Sequence, residues 1–286
     1  MLIAHYKRTP LAWAPEAICT VINKYTDHFA YMVGYAYPKS KVVPKTDLVH
    51  QHNVDEVIYP KKIVQFHSEP FRVNLNTKIR QLVICQYHAT LPEYKYCTQV
   101  RNPIDIYEKL YFPRYVSEKI RIGYSPSTIN PQSKWADKGY KITCAILEEI
   151  KAIYQGDVEV DIIVGVTLDE CLKRKSMVNI FIDEVVTPSY HRSGLESMAM
   201  GVVTICSLGA SVEKILLQTS GALDTPFVNV GPTQLKNCLI EMIEGGIENV
   251  LFRGYKSRIW MEKYWNPKDI SNEYIDIYKT VLSDAL

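Results

Sequence analysis

VEVDIIVGVTLDECLKRKSMVNIFIDE (158–184) decides the fold. Its two ends, VEVDIIVGV (158–166) and NIFID (179–183), are short runs rich in β-branched residues, which favour strands. Between them TLDECLKRKS has the length and charge of one short helix. Strands joined through a helix are parallel, because a parallel pair needs a crossover connection. The pattern continues on both sides. GLESMAMG (194–201) starts a helix and VVTICSL (202–208) is a further strand. Upstream, IRIGYSP (120–126) is a β-rich run followed by KGYKITCAILEEIKAIY (138–154), where Ile142, Ile146, Ile150 and Ile153 recur at helical spacing. This alternation predicts an α/β fold with a parallel sheet covered by helices on both faces. Ligands of such sheets sit beyond the carboxyl ends of the strands.

The first half predicts the same architecture less regularly. Candidate strands are MLIAHY (1–6), FAYMVGYAY (29–37), DLVHQHN (47–53), KKIVQFHS (61–68) and QLVICQYHA (81–89), several of them ending in histidine. RNPIDIYEKLYFPRY (101–115), with two prolines, reads as a connector. The tail RIWMEKYWNPKDISNEYIDIYKTVL (258–282) predicts a helix, a break at Pro267 and a second helix. The expected organisation is one lobe over 1–115, a second over 116–265, and a terminal helix over 266–286 packing back on the first.

Of the 286 residues, 47% are hydrophobic and 22% charged, which predicts an ordinary globule and excludes a disordered chain. No apolar run approaches the roughly 18–20 residues that span a bilayer. The start, MLIAHYKRTP, lacks the long apolar core of a signal peptide. The seven cysteines show no CxxC or Cys/His ligand spacing, so reduced thiols in a cytoplasmic protein without structural zinc are expected. The net charge of +2 is uneven. Residues 1–115 carry 15 Lys/Arg against 9 Asp/Glu, and residues 116–286 carry 18 against 22. Six of the seven histidines lie in the first part. A basic lobe suits an anionic partner; chance surface charge explains the same numbers.

The second half resembles the family 4 glycosyltransferases of the GT-B fold. SPS (125–127) with KG (138–139) is similar to the loop where this family holds the donor diphosphate. VDIIVGVTLDECLKRKSMVNIFIDE (160–184) is similar to its strand–helix–strand unit beside the nucleobase, and SGLESMAMGVVTICS (193–207) to its signature helix and following strand. The match covers roughly residues 101–286. In the first half only VHQHN (49–53) and VQFHS (64–68) resemble family strand ends. The resemblance implies two Rossmann-like lobes, the first on the acceptor side and the second binding the donor. It also implies a nucleotide sugar as donor substrate, no cofactor and no metal, and retention of anomeric configuration.

It further implies roles for single residues. Ser125, Ser127, Lys138 and Gly139 would hold the diphosphate, and Lys138 would neutralise the leaving group. Gly165 would lie beside the nucleobase. Tyr190, Ser193, Gly194, Leu195 and Glu196 form the signature segment, where Glu196 would accept the ribose hydroxyls. Local reading offers competing roles. Ser193 to Glu196 also fits a capping box, and Lys138 also fits a solvated lysine at a helix start. Lys134 and Arg192 are weaker phosphate candidates. His67 would face the donor sugar, with His88 as the runner-up. His50 and His52 share one strand face; with no third ligand apparent, polar packing and no metal are expected there.

Two departures stand out. The family usually carries a second glutamate eight residues before the helix glutamate, and here that position is Pro188. Asp183 or Glu184 would have to replace it. A Gly-Gly loop near the start is replaced by TPLAWAPEA (9–17). The chain also resembles phage-encoded members that glycosylate hydroxymethylated pyrimidines in DNA. Lys7, Arg8, Lys61, Lys62, Arg72, Lys78 and Arg80 are the charges available for a phosphate backbone, and Trp13 and Tyr87 the aromatics for a flipped base. Polysaccharide or lipid-linked glycan is the alternative acceptor. A nucleotide-sugar-binding protein without catalysis is the alternative of another class.

Overall fold

The computed structural model describes residues 1–7, 11–33, 45–70, 79–114, 119–129 and 138–283. The chain divides into two compact units. The first comprises Met1–Asp105, Gln218–Ser220 and Trp265–Leu286; the second comprises Ile106–Leu217 and Gly221–Tyr264.

The first unit is built on β1 (Leu2–Lys7), β2 (Phe29–Val33), β3 (Leu48–His52), β4 (Lys62–Phe66), β5 (Arg80–Ile84) and β6 (Thr98–Val100). They form one sheet in the order β2-β1-β3-β4-β5-β6, with every pair parallel. The order reverses between β1 and β3, the switch point where such sheets bind ligands. α1 (Ala14–Tyr25) follows β1, with Pro15 in its first turn and Ile18, Val21 and Ile22 buried. α8 (Pro267–Ser283) packs against α1. Its Tyr274 hydroxyl lies 3.2 Å from both Gln65 Oε1 and the Arg101 carbonyl. Just before it, Trp265 Nε1 donates to the Asn102 carbonyl at 2.9 Å. The predicted strand 81–89 is too long. β5 ends at Ile84, and Tyr87–Thr90 form a 3-10 turn, so His88 does not end a strand. β6, three residues long, is too short to show a period and was not foreseen.

The second unit contains β7 (Ile120–Tyr124), α2 (Tyr140–Ile153), β8 (Val158–Ile162), α3 (Leu168–Lys175), β9 (Ile180–Glu184), α4 (Arg192–Ala199) and β10 (Val203–Cys206). It continues through α5 (Ala210–Ser220), β11 (Val228–Asn229), α6 (Leu235–Glu244) and α7 (Ile247–Tyr264). Its parallel sheet runs β11-β10-β9-β7-β8, reversing between β7 and β9. Ile122, Tyr124, Ile180, Ile182, Val203 and Ile205 fill its core. α3 is delimited as its sequence dictates. Thr167 Oγ1 caps Glu170 N at 3.3 Å, acidic residues occupy the first turn and Lys173, Arg174 and Lys175 the last, which complements the helix dipole.

α2 corrects the isoleucine reading. Its buried residues are Thr143, Leu147 and Ile150, while Ile142 and Ile153 are exposed. The apolar stripe of this helix is wide, and the sheet takes its other edge. α7 lies tightly on the turn after α4. A Cβ on Gly254 would overlap the Gly201 carbonyl oxygen. One turn on, the buried Arg258 Nη1 reaches the carbonyls of Ile106, Tyr111 and Ala199 at 3.0, 3.0 and 2.6 Å. Among the described residues no helix is long and apolar enough to cross a membrane.

Candidate functional site

The predicted donor residues gather at the carboxyl ends of β7 and β9, at the switch point of the second sheet. Tyr124 ends β7 and its hydroxyl donates to the Lys138 carbonyl at 3.0 Å, tying the loop to the sheet. Ser125 is half-buried, with Oγ 3.5 Å from Cys171 Sγ, and Ser127 is exposed. Lys138 and Gly139 both take left-handed backbone, with φ of 51° and 74°. That turn delivers the chain into α2, whose first amides follow directly, and glycine suits it because it lacks the Cβ that disfavours positive φ.

Lys138 is not a solvated surface lysine. It is buried, and its Nζ lies 3.2 Å from Asp183 Oδ1. Asp183, fully buried at the end of β9, also accepts from the His191 amide at 2.6 Å. Burial alone would raise its carboxyl, but the Lys138 ammonium and the His191 contacts hold it well below the usual carboxylate range. Gly194 is required here: a Cβ would meet Asp183 Oδ2 at 2.8 Å. Asp183 is thus the residue that fastens Lys138 and the start of α4.

Glu184 behaves differently. It is fully buried, and the Thr187 donors beside its carboxylate offset only part of the cost of burial. Desolvation, with the Asp183 charge adding to it, pushes its carboxyl up to about 8. The folded protein therefore binds a proton there that the unfolded chain, near its ordinary value of about 4.3, releases. Stability is expected to fall as pH rises between those two values. Glu184→Gln is expected to flatten that part of the profile and to raise the melting temperature at pH 9; a profile of unchanged slope in denaturation scans from pH 5 to 9 would refute this.

Glu196, on α4, does not close a capping box. The helix N-cap is His191, without a side-chain cap, and Glu196 is committed elsewhere. Lys175 Nζ lies 2.8 Å from Oε2 and Arg192 Nε 3.0 Å from Oε1. These two cations hold its carboxyl below the ordinary value against desolvation. Arg192, expected near phosphate, is thus the partner of Glu196, one turn away on the same helix. Lys175 was missed by sequence reasoning. It is buried, and its ammonium also reaches Ser193 Oγ at 3.0 Å. Its signal was present: Leu168, Leu172 and Lys175 form one helical stripe, so the last residue of LDECLKRK falls on the inner face.

Leu195 and Tyr190 are buried, and the Tyr190 ring stacks on Phe227 with centroids 5.6 Å apart, which is core packing. Gly165, with φ of 69°, faces open space. Lys134 lies outside the described residues.

In the first unit, His67 follows β4, as its position at the strand end suggested. Its backbone amide donates to Asn53 Oδ1 at 2.6 Å, and its Nε2 lies 3.1 Å from His52 Nδ1. His88 is half-buried on the 3-10 turn. The expectation of no third ligand beside His50 and His52 is overturned: β1 brings in His5, which pairs in register with His50. Two residues of the TPLAWAPEA loop, Ala12 and Trp13, take positive φ of 47° and 62°. They make with ordinary residues a turn that glycines make freely. Trp13 is exposed and Tyr87 half-buried.

No family model matches the chain, and no curated protein does. Solved structures match it along its length. A glycosyltransferase from Rickettsia africae is 12% identical over 99% of each chain with a TM-score of 0.65. HepE of Anabaena in complex with UDP and glucose is 12% identical over 98% of this chain and 100% of that one, with a TM-score of 0.65. AviGT4, a glycosyltransferase of avilamycin A biosynthesis, is 12% identical over 99% of both chains with a TM-score of 0.53. With two parallel, helix-covered sheets, each reversing its strand order once, the chain has the GT-B fold of these glycosyltransferases.

Proposed function

We propose that the protein transfers a sugar from a nucleoside diphosphate sugar to an acceptor hydroxyl, with the second unit holding the donor. The observation that carries this is the buried Glu196 carboxylate, oriented through both oxygens by Lys175 and Arg192 near the ligand-binding end of a GT-B sheet. Each oxygen keeps a lone pair, so the carboxylate can still accept the two hydroxyls of a ribose. The Anabaena likeness was solved with UDP and glucose, which supports a UDP-sugar as the first donor to test.

In this reading Lys138 and the first amides of α2 take up the charge that develops on the departing diphosphate. Asp183 orients Lys138, and Ser125, Ser127 and Gly139 line the phosphate loop. Gly165 leaves room for the base. Transfer is retaining and metal-independent: the donor phosphate accepts the acceptor's proton, and Lys138 supplies the cation. His67 is the residue assigned to the donor sugar, with His88 as the runner-up.

For the acceptor, ion pairing favours a saccharide over duplex DNA. Of the seven charges that could follow a phosphate backbone, Arg8, Arg72 and Lys78 lie outside the described residues. Lys7 pairs with Glu16, Lys62 pairs with Asp55 at 2.5 Å, and Lys61 donates to the Leu282 carbonyl at 3.0 Å. Only Arg80 of the described four stands exposed without such a role.

The test is a panel of nucleotide sugars screened by thermal shift, then transfer assays with free and lipid-linked saccharides and with hydroxymethylated and plain duplexes. Glu196→Gln is expected to weaken UDP binding about 10-fold or more, the scale of one hydrogen bond to a charged group, and also to lower the melting temperature through Lys175. Binding of a nucleotide sugar without hydrolysis or transfer would leave the non-catalytic reading, to which Pro188 in place of a glutamate already points. Unchanged UDP affinity in the variant would remove Glu196 from the site.

A further inference from the structure

We propose that His5, His50 and His52 form a binding site for a divalent late transition metal of the zinc, cobalt or nickel class within the first unit. The register of β1 and β3 sets His5 beside His50, and His52 lies two residues on, on the same face. One ring nitrogen from each lies within 4.8 Å of the other two, and all three side chains are fully buried. They sit near the carboxyl ends of β1 and β3, where the strand order reverses and ligands of these sheets are found. In a four-coordinate site with metal–nitrogen distances of about 2.0–2.1 Å, ligand nitrogens stand about 3.3 Å apart. His5 Nδ1 and His52 Nε2 are 3.0 Å apart.

The outward nitrogens make the stronger case. A metal-bound imidazole usually donates its other N–H to a fixed partner, which sets the tautomer. Here His52 Nδ1 faces His67 Nε2 at 3.1 Å, His50 Nδ1 faces the Tyr278 hydroxyl at 2.9 Å, and His5 Nε2 faces the same hydroxyl at 3.4 Å. Each ring thus has its outer nitrogen engaged. His50 Nε2 is buried, and the Gln65 side chain is the polar neighbour of this ring. If the outer nitrogens carry the protons, the inner ones present lone pairs to one another, an arrangement that a cation stabilises.

Imidazole ligands suit zinc, nickel, copper and cobalt, and not magnesium or calcium. No carboxylate joins the group among the described residues. The site meets the proposed transfer chemistry only through the His52–His67 contact, and its failure would leave the donor reading, which rests on Glu196 and Lys138, untouched.

The experiment uses the full chain purified without a metal-affinity tag and stripped with a chelator. It is titrated with Zn2+, Co2+ and Mg2+ and followed by elemental analysis, visible absorption and thermal denaturation. Near-stoichiometric retention of Zn2+ after gel filtration is expected, with the ligand-field bands of four-coordinate Co2+. A melting temperature about 5–10 °C higher is expected at a hundredfold excess over Kd, and none of this with Mg2+. His50→Phe should abolish retention. Retention by that variant equal to the wild type would place the ion elsewhere and overturn the proposal. If the variant does not fold, the wild-type titration still decides: a folded chain that keeps neither Zn2+ nor Co2+ and shows no thermal shift has only a hydrogen-bonded histidine chain.

Discussion

Lys138→Ala is expected to reduce sugar transfer by about 10²–10³-fold, the usual loss when one preorganised group that stabilises developing charge is removed. The structure adds a second effect that sequence alone did not suggest. Asp183 is fully buried, and Lys138 is its cation. Removing one partner of a buried pair costs about 3–5 kcal/mol because the other charge is left uncompensated. The variant should therefore also melt about 10 °C lower or more. Lys138→Ala combined with Asp183→Asn separates the two effects, since the second change removes the stranded charge. The double variant is expected to regain much of the stability and none of the turnover. Recovery of turnover would mean that Lys138 acts only through folding. The pH profile gives an independent sign. With its folded value depressed, Asp183 contributes stability that is present above its unfolded value of about 3.9 and is lost as pH falls through the folded one. In Lys138→Ala this acid-side loss should begin at higher pH.

Arg258→Met is expected to lower the melting temperature by a comparable amount, about 10 °C, with nucleotide affinity falling only as the fold is lost. Methionine keeps much of the aliphatic volume and removes every donor. Three carbonyls, those of Ile106, Tyr111 and Ala199, then lose the group that reaches them. A buried acceptor left without a partner costs about 1–3 kcal/mol, and the three will not add fully. Chemical denaturation of the purified variant checks this; a loss under 1 kcal/mol would show that water replaces the guanidinium.

The second unit was legible because its central strands β9 and β10 are fully buried and are separated by polar, helix-forming stretches. The stretch 158–184 gave both strands and the helix between them. What failed were features that depend on direction. The isoleucines of α2 announced a helix but misplaced its inner face, because periodicity fixes an angle only to the width of the stripe. Glu196 was singled out, yet the cations that orient it were not. Lys175 lies 21 residues away and Arg192 was assigned to phosphate. Likewise the partner of His50 and His52 came from a strand more than forty residues earlier, and a pairing of parallel strands leaves no local trace.

The path of the chain has a consequence for how the protein is made. The second unit is nearly continuous, from Ile106 to Tyr264, and can close on itself as soon as it leaves the ribosome. The first unit begins the chain but cannot finish early. Gln65, Arg101 and His50 each rest on a residue of the last helix, Tyr274, Glu273 or Tyr278. β3, β4 and the Arg101 segment therefore lack these contacts until α8 has been synthesised. The second unit is therefore expected to fold before the first, although it is translated after most of it.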